Sequence, residues 1–315
     1  ILSSSFWVNG LEFNFPIHQM TGITRKKAAD ILAEVFGTTA GDSDGTCYYT
    51  RIIRDQKNRK WKVMRDSSIT PVRNDDTDAY LDEYKVEMVT PPLDYEDIEL
   101  LQSVIRKLRE GGAKPHSSCG IHIHVDGANH TAASLRRLVT FMTARQDLIY
   151  ESLEIGARGN RWCRKLNSDL LSAMKKDKDL TADNLEKIWY SSANDGYCDG
   201  INHEHYNPTR YHGVNLHAFF SKGTVEFRLF NSTLHAGKIK AYIQFCLAVS
   251  AWAITSNDNL VFKSMENYTA AQKVTIMRNI LTHRLGLYGD EFKTCRLHLL
   301  TPLKKNAGMT VREAA

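Results

Sequence analysis

The sequence predicts a mixed fold, α+β or crossed α/β, on three observations. Short segments alternate apolar with polar residues, long stretches of helical periodicity separate them, and no G-x-G-x-x-G or P-loop turn follows any strand. The chain has 315 residues, of which 42% are hydrophobic and 24% charged, enough to bury a sizeable core. No Pro-rich linker or low-complexity tract divides it. One enlarged domain over 1–315 is expected, with a helical insertion at about 155–205 and a helical C-terminal annex at about 236–302.

Alternation marks the strands. Leu11, Phe13 and Phe15 alternate with Glu12 and Asn14, and Val86 and Met88 flank Glu87. Ile121, Ile123 and Val125 alternate with His122, His124 and Asp126, and Val225, Phe227 and Leu229 with Glu226 and Arg228. Each reads as a half-buried strand with one apolar and one charged face. Cys47 to Ile53 and Trp61 to Arg65 add a hairpin.

Helices lie between them. Thr24 caps one that runs through Phe36, and Asp94 caps another whose stripe of Ile98, Leu101, Ile105 and Leu108 ends at Gly111 and Gly112. Thr131 opens a third, with Leu135, Leu138, Met142 and Ile149 on one stripe and Arg145 among them. A helix-rich stretch follows from about Arg161 to Tyr190, and helices at Ala236–Ile254, Ala270–Thr282 and near Asp290–Leu300 complete the chain.

The net charge of +5 is dispersed, and its densest run, Arg51 to Arg65, is interleaved with apolar and acidic residues. That pattern suits anionic ligands and argues against nucleic acid as a partner. Ala241 to Ile254 is too short to span a membrane, and Ile1 to Phe6 lacks the basic and apolar parts of a signal peptide, so a cytoplasmic location is expected. The six cysteines are scattered without a Cys-x-x-Cys pair, and they read as reduced thiols, mostly in the core.

Three segments carry chemistry. In Ser117 to Asp126, residues two apart share a strand face, so His122, His124 and Asp126 form a row at about 6 to 7 Å spacing. Imidazoles there can bind a divalent ion or hydrogen-bond phosphate. In Gly223 to Phe230, Glu226 and Arg228 share a face, a carboxylate suited to Mg²⁺ and a guanidinium suited to phosphate. A structural cross-strand ion pair explains that pair equally well when it is taken alone. Glu87 lies inside an apolar strand that ends at Pro91 and Pro92, and a lone acid there calls for a partner such as a metal, unless the strand is an exposed edge. Glu12 has the same character. Asp66 and Ser67 after Trp61, Arg210 with Asn215, and Arg164 are supplementary polar candidates. Acids, imidazoles and arginines on adjacent strands describe a bowl for a metal-bridged polyphosphate.

These segments resemble the amidoligase family of bacterial and mobile-element proteins, relatives of glutamine synthetase and γ-glutamylcysteine ligase. The likeness runs from about Thr21 to Leu300 and rests on Trp61–Ser68, Val86–Pro92, Ser118–Asp126, Arg210–Asn215 and Gly223–Asn231 in that order. It implies a curved antiparallel sheet of the glutamine-synthetase type with helices on its outer face. By the same resemblance Glu87, His122 and Glu226, with Glu12, are metal ligands, and Arg228 meets the γ-phosphate. Arg210 joins Arg228 and Glu226 in catalysis, while His124, Asp66, Ser67, Asn215 and Arg164 contact ATP or substrate. The chain departs from the family at its first strand, usually Gly-x-Glu-x-Glu, where Asn14 replaces the second acid.

The reading that follows is an ATP- and Mg²⁺-dependent carboxylate–amine ligase, with Mn²⁺ as an alternative ion, that forms a peptide or isopeptide amide through an acyl phosphate. A metal-dependent hydrolase using the His-x-His strand and a catalytically weak nucleotide-binding module are the competing classes. The carboxylate, the amine and the oligomeric state are not written in the sequence.

Overall fold

The computed structural model describes residues 13–74, 78–177, 180–192, 200–257 and 267–310, with the side chains described from residue 17 onward. The strands are β1 (Phe13–Met20), β2 (Arg51–Arg54), β3 (Lys60–Met64), β4 (Val86–Val89), β5 (Pro92–Leu93), β6 (Gly120–Asp126), β7 (Val214–Asn215) and β8 (Thr224–Asn231). The α-helices are α1 (Arg25–Phe36), α2 (Ile98–Glu110), α3 (Ala132–Ala144), α4 (Gln146–Ser152), α5 (Ser168–Lys176) and α6 (Ala182–Ser192), then α7 (His217–Lys222), α8 (Ala236–Thr255), α9 (Ala270–Asn279) and α10 (Lys293–Asn306). The fold is α+β, with an antiparallel sheet in the order β2-β3-β4-β1-β6-β8-β7 and β5 paired to β1. The chain divides into two compact units. The N-terminal unit holds the described residues of 12–123 and 230–240, and the C-terminal unit those of 124–229 and 241–315.

In the N-terminal unit, Thr24 caps α1 by accepting from the Lys27 amide, and Gly37, at φ 65°, closes it where only glycine avoids strain. The helix buries Ala28, Ala29, Leu32 and Phe36 against β2, β3 and α2, and Phe36 meets the Trp61 ring at 5.0 Å between centroids. The β2–β3 turn is organised by Asp55, whose carboxylate accepts from the Lys57 and Arg59 amides, Arg59 Nε at 2.8 Å and Trp61 Nε1 at 3.0 Å. Arg59 reaches on to Asp97 at the start of α2. Burial alone would raise the Asp97 pKa, but the Arg59 hydrogen bond, the Asp94 amide and Lys57 bring it down to about 2.

β1 runs further than the alternation at Leu11–Phe15 suggests. It pairs first with β5, Asn14 opposite Pro92, and then with β4, from Ile17 opposite Val89 to Met20 opposite Val86, which sets Gln19 opposite Glu87. Directly opposed residues of an antiparallel pair share a face, so Gln19 is the β1 side chain that faces Glu87. Glu12 lies outside the described residues.

In the C-terminal unit, α3 opens with a reciprocal capping box between Thr131 and Ser134. The continuous stripe expected to reach Ile149 breaks at Arg145, at φ −126° and ψ 8°, which separates α3 from α4. α3 packs on α5, and α10 on α4 and α9. α10 extends to Asn306, beyond the expected end near Leu300, and carries Pro302 inside. No helix among the described residues is long and apolar enough to cross a membrane.

Candidate active site

The C-terminal unit builds a buried polar cluster on the ends of β6, β7 and β8. Along β8, Val225, Phe227 and Leu229 point one way and are 0% exposed. Thr224, Glu226 and Arg228 point the other way and are only 6%, 3% and 4% exposed. The half-buried strand expected from alternation is therefore covered on both faces, and His122 and His124 on β6 are also buried. Charges removed from water in this way need partners, and Glu226 has them.

Glu226 Oε1 takes Arg228 Nη1 at 2.7 Å and lies 3.7 Å from His124 Nε2. Its Oε2 accepts from Asn215 Nδ2 at 2.6 Å, because β7 sets Asn215 directly opposite Glu226. Asn215 is 1% exposed, and its Oδ1 has no hydrogen-bond partner among the described residues. An orphaned buried oxygen costs about 1–3 kcal/mol. Both Glu226 oxygens already accept hydrogen bonds, so Asn215 Oδ1 is the oxygen left open to a ligand beside them. No group of three or more His, Cys, Asp or Glu among the described residues stands ready to hold a metal without other ligands.

His124 is kept neutral. Burial lowers its pKa to about 4 against the pull of Glu226, and Lys222, Arg228 and Arg210 push the same way as burial. Its Nδ1 is 2.8 Å from Thr224 Oγ1, which fixes the ring. His217 is held similarly, at about 4 through burial and Arg210, with Nδ1 2.7 Å from the Tyr190 hydroxyl.

Lys222, Arg228, Arg210 and Glu226 all act on His124 and His205. Arg210 and Arg228 both approach the Tyr211 ring, each 5.7 Å from its centroid, and Trp162 meets it edge-on at 5.6 Å. Burial and then Arg228 lower the Arg210 pKa, and Glu226 opposes them. Arg164 flanks the cluster through its backbone: its amide donates to Tyr211 O and its carbonyl accepts from Gly213 N. A Cβ at Gly213 would come within 2.4 Å of the Tyr150 hydroxyl, so the close approach requires glycine.

The structure thus brings together His124, Arg164, Arg210, Asn215, Glu226 and Arg228 of the residues expected from sequence. Asp66, Glu87 and His122 belong to the N-terminal unit. There Gln19 Nε2 donates to Asp66 at 2.5 Å, and Gln19 Oε1 accepts from the Gly120 amide at 2.8 Å. Asp66 also accepts from the Ser68 amide, and Ser67 is exposed. Sequence reasoning passed over Thr224, Lys222, Tyr211 and Gln19. Thr224 and Gln19 were detectable in principle, since each lies on the polar face of its strand, two residues before Glu226 or two before Thr21.

A comparison with curated proteins finds no match. A solved structure, described as a bifunctional glutathione synthetase from Pasteurella multocida, is similar over 98% of this chain and 50% of that one. The identity is 12% and the TM-score 0.47, and the chain spans half the length of that protein. The model of a family described as "Putative amidoligase enzyme" matches residues 9–250, which takes in β1 to β8 and every residue of the cluster around Glu226. With well over half of its length matched, the chain belongs to this amidoligase family.

Proposed function

We propose that the protein is an ATP- and Mg²⁺-dependent ligase that joins a carboxylate to an amine through an acyl phosphate. The observation that carries this reading is the gathering of Arg228, Arg210 and Lys222 around Glu226. Arg228 there is buried, Arg210 half-buried and Lys222 exposed, and cations gathered in this way suit an anion of high charge such as a nucleotide polyphosphate. Membership of an amidoligase family supports amide formation as the use of that nucleotide.

In this scheme a carboxylate oxygen of the substrate attacks the γ-phosphorus and ADP leaves. The amine nitrogen then attacks the acyl carbon, phosphate leaves, and the amine gives up a proton. Arg228 and Arg210 hold the transferring phosphoryl group and offset the charge that develops on it. Tyr211, whose ring both guanidinium groups approach, helps to hold them in place. Neutral His124, oriented by Thr224, hydrogen-bonds nucleotide or substrate without adding charge. A bound Mg²⁺ supplies neutralisation of the phosphates. Glu226 and Asn215 would hold it, and Glu87, His122 and Glu12 keep the ligand roles that the resemblance assigns them. Mn²⁺ suits the same donors. Asp66, Ser67 and Arg164 are proposed contacts to ATP or substrate, and a curved sheet of the glutamine-synthetase type is the proposed scaffold.

The test is product analysis with panels of carboxylates and amines. ADP and phosphate should form only when both substrates are present, and hydroxylamine should trap the activated carboxylate as a hydroxamate. AMP and pyrophosphate, or cleavage of substrate without ATP, would refute the scheme.

A further inference from the structure

We propose that the N-terminal unit carries a binding site of its own, for a short acidic peptide with a free amino group. The site is a cavity of about 650 Å³ bounded by the loop 41–50, the start of α1 and the 3₁₀ turn Leu81–Tyr84. Its volume lies within the roughly 300–1,000 Å³ of small-molecule sites. Arg25, Arg51, Arg65, Glu83, Tyr49 and Tyr80 line it and define what it takes.

Unused hydrogen-bonding capacity identifies the ligand's ends. Asp82, also on the wall, is committed: it pairs with Arg65 Nε at 2.9 Å, Lys85 at 3.1 Å and Arg25 at 3.7 Å. Arg65 gives Asp82 only Nε, so its two terminal nitrogens make no hydrogen bond with the described residues. Arg51 commits one nitrogen, Nη1, to the Gly41 carbonyl at 3.2 Å and to the Asp42 carboxylate at 4.0 Å, and leaves the rest of its fork open. Both side chains reach solvent, at 28% and 21% exposure. Two planar forks with open N–H edges match carboxylates. Glu83 makes no hydrogen bond or ion pair through its carboxylate with the described residues, although its charge reaches Arg25, and an acid open to a ligand on this wall disfavours phosphate and selects an ammonium group.

The walls suit a peptide body. Tyr80 is 82% and Tyr49 45% exposed, and tyrosine faces of this kind cover peptide backbone and side chains with little entropy lost. Tyr49 stands at φ 49°, beneath the Arg25 guanidinium at 5.3 Å, a conformation rare for a bulky residue. The loop holds it there. Asp44 Oδ1 accepts from the Thr46 and Thr50 amides at 3.0 Å and the Thr46 hydroxyl at 2.8 Å, and the Arg65 amide donates to Tyr48 O at 2.7 Å. Much of the ordering that binding requires is thus already met in the fold.

The test is titration calorimetry of the intact chain, without ATP, with the tripeptide Glu-Gly-Glu, its N-acetylated form and inorganic phosphate as probes. Because no turnover is read, failure here leaves the ligase reading untouched, and failure of that reading leaves this site untouched. The free peptide should bind one to one. N-acetylation should weaken it about tenfold in the wild type and have no effect in Glu83→Gln, a variant that removes no hydrogen bond or ion pair among the described residues. Arg65→Met should weaken the peptide at least tenfold, and circular dichroism checks that this variant stays folded. No peptide binding, equal binding of the acetylated peptide to the wild type, or tighter binding of phosphate than of peptide would each overturn the proposal.

Discussion

Replacing Glu226 with glutamine isolates the charge at the centre of the cluster, because the amide keeps the volume and one acceptor oxygen. The acceptor can still take Asn215 Nδ2, now 2.6 Å from Oε2. What disappears is the countercharge of Arg228, which is 4% exposed and 2.7 Å away, and the opposition to Arg210 and Lys222. Removing one partner of a buried pair costs about 3–5 kcal/mol, and the retained hydrogen bond places Glu226→Gln near the lower end, about 3 kcal/mol. Arg228→Met should cost a similar amount, since it removes the guanidinium 2.7 Å from the buried Glu226 carboxylate. The double variant orphans neither charge, so its loss should be smaller than the sum of the single losses by about 2 kcal/mol or more. Urea denaturation of the four proteins at pH 7.5 measures this cycle. A loss below about 0.5 kcal/mol for Glu226→Gln, the size of an ordinary surface change, would mean that the cluster is open to water, and strict additivity would mean that the two side chains do not form a pair.

Three further outcomes are expected. The buried histidines His18, His124, His130 and His217 have folded pKa values of about 4 against 6.5, with burial the leading cause in each. The unfolded chain therefore binds protons first as pH falls, and stability present above about 6.5 should decline towards 4, by up to ~1.4 kcal/mol per pH unit for each histidine. A urea midpoint constant between pH 7.5 and 5 would contradict this. Thr224→Val removes the hydroxyl 2.8 Å from His124 Nδ1 and should cost about 1–3 kcal/mol in the same denaturation assay; a neutral effect would show that the ring is held by other groups. Under the proposed function, Arg228→Lys keeps the charge but loses the planar fork, and kcat for ADP release should fall about 10²-fold. Unchanged kcat would remove Arg228 from the phosphate.

The elements were legible where one local rule acts alone. Thr24, Asp94 and Thr131 start helices because each can satisfy amides that the helix leaves open, and period-two alternation placed β4, β6 and β8. Arg145 was not legible as a break, since the apolar stripe continues through it and the sequence carries neither proline nor glycine there. β1 was read short because Pro16, Ile17 and His18 interrupt the alternation; its length is set by the partner strand β4.

By itself the sequence determined the residue types of the cluster and their strand faces: His124 on β6, and Glu226 and Arg228 on β8. These follow from covalent spacing, because residues two apart on a strand must share a face. Tertiary structure alone decided that this polar face is buried, so that His124 is neutral and Glu226 must pair. It also decided that Asn215 meets Glu226 and that two guanidinium groups approach the Tyr211 ring. Burial and cross-strand contact depend on which segments pack together, and for residues far apart in the chain no local pattern encodes that.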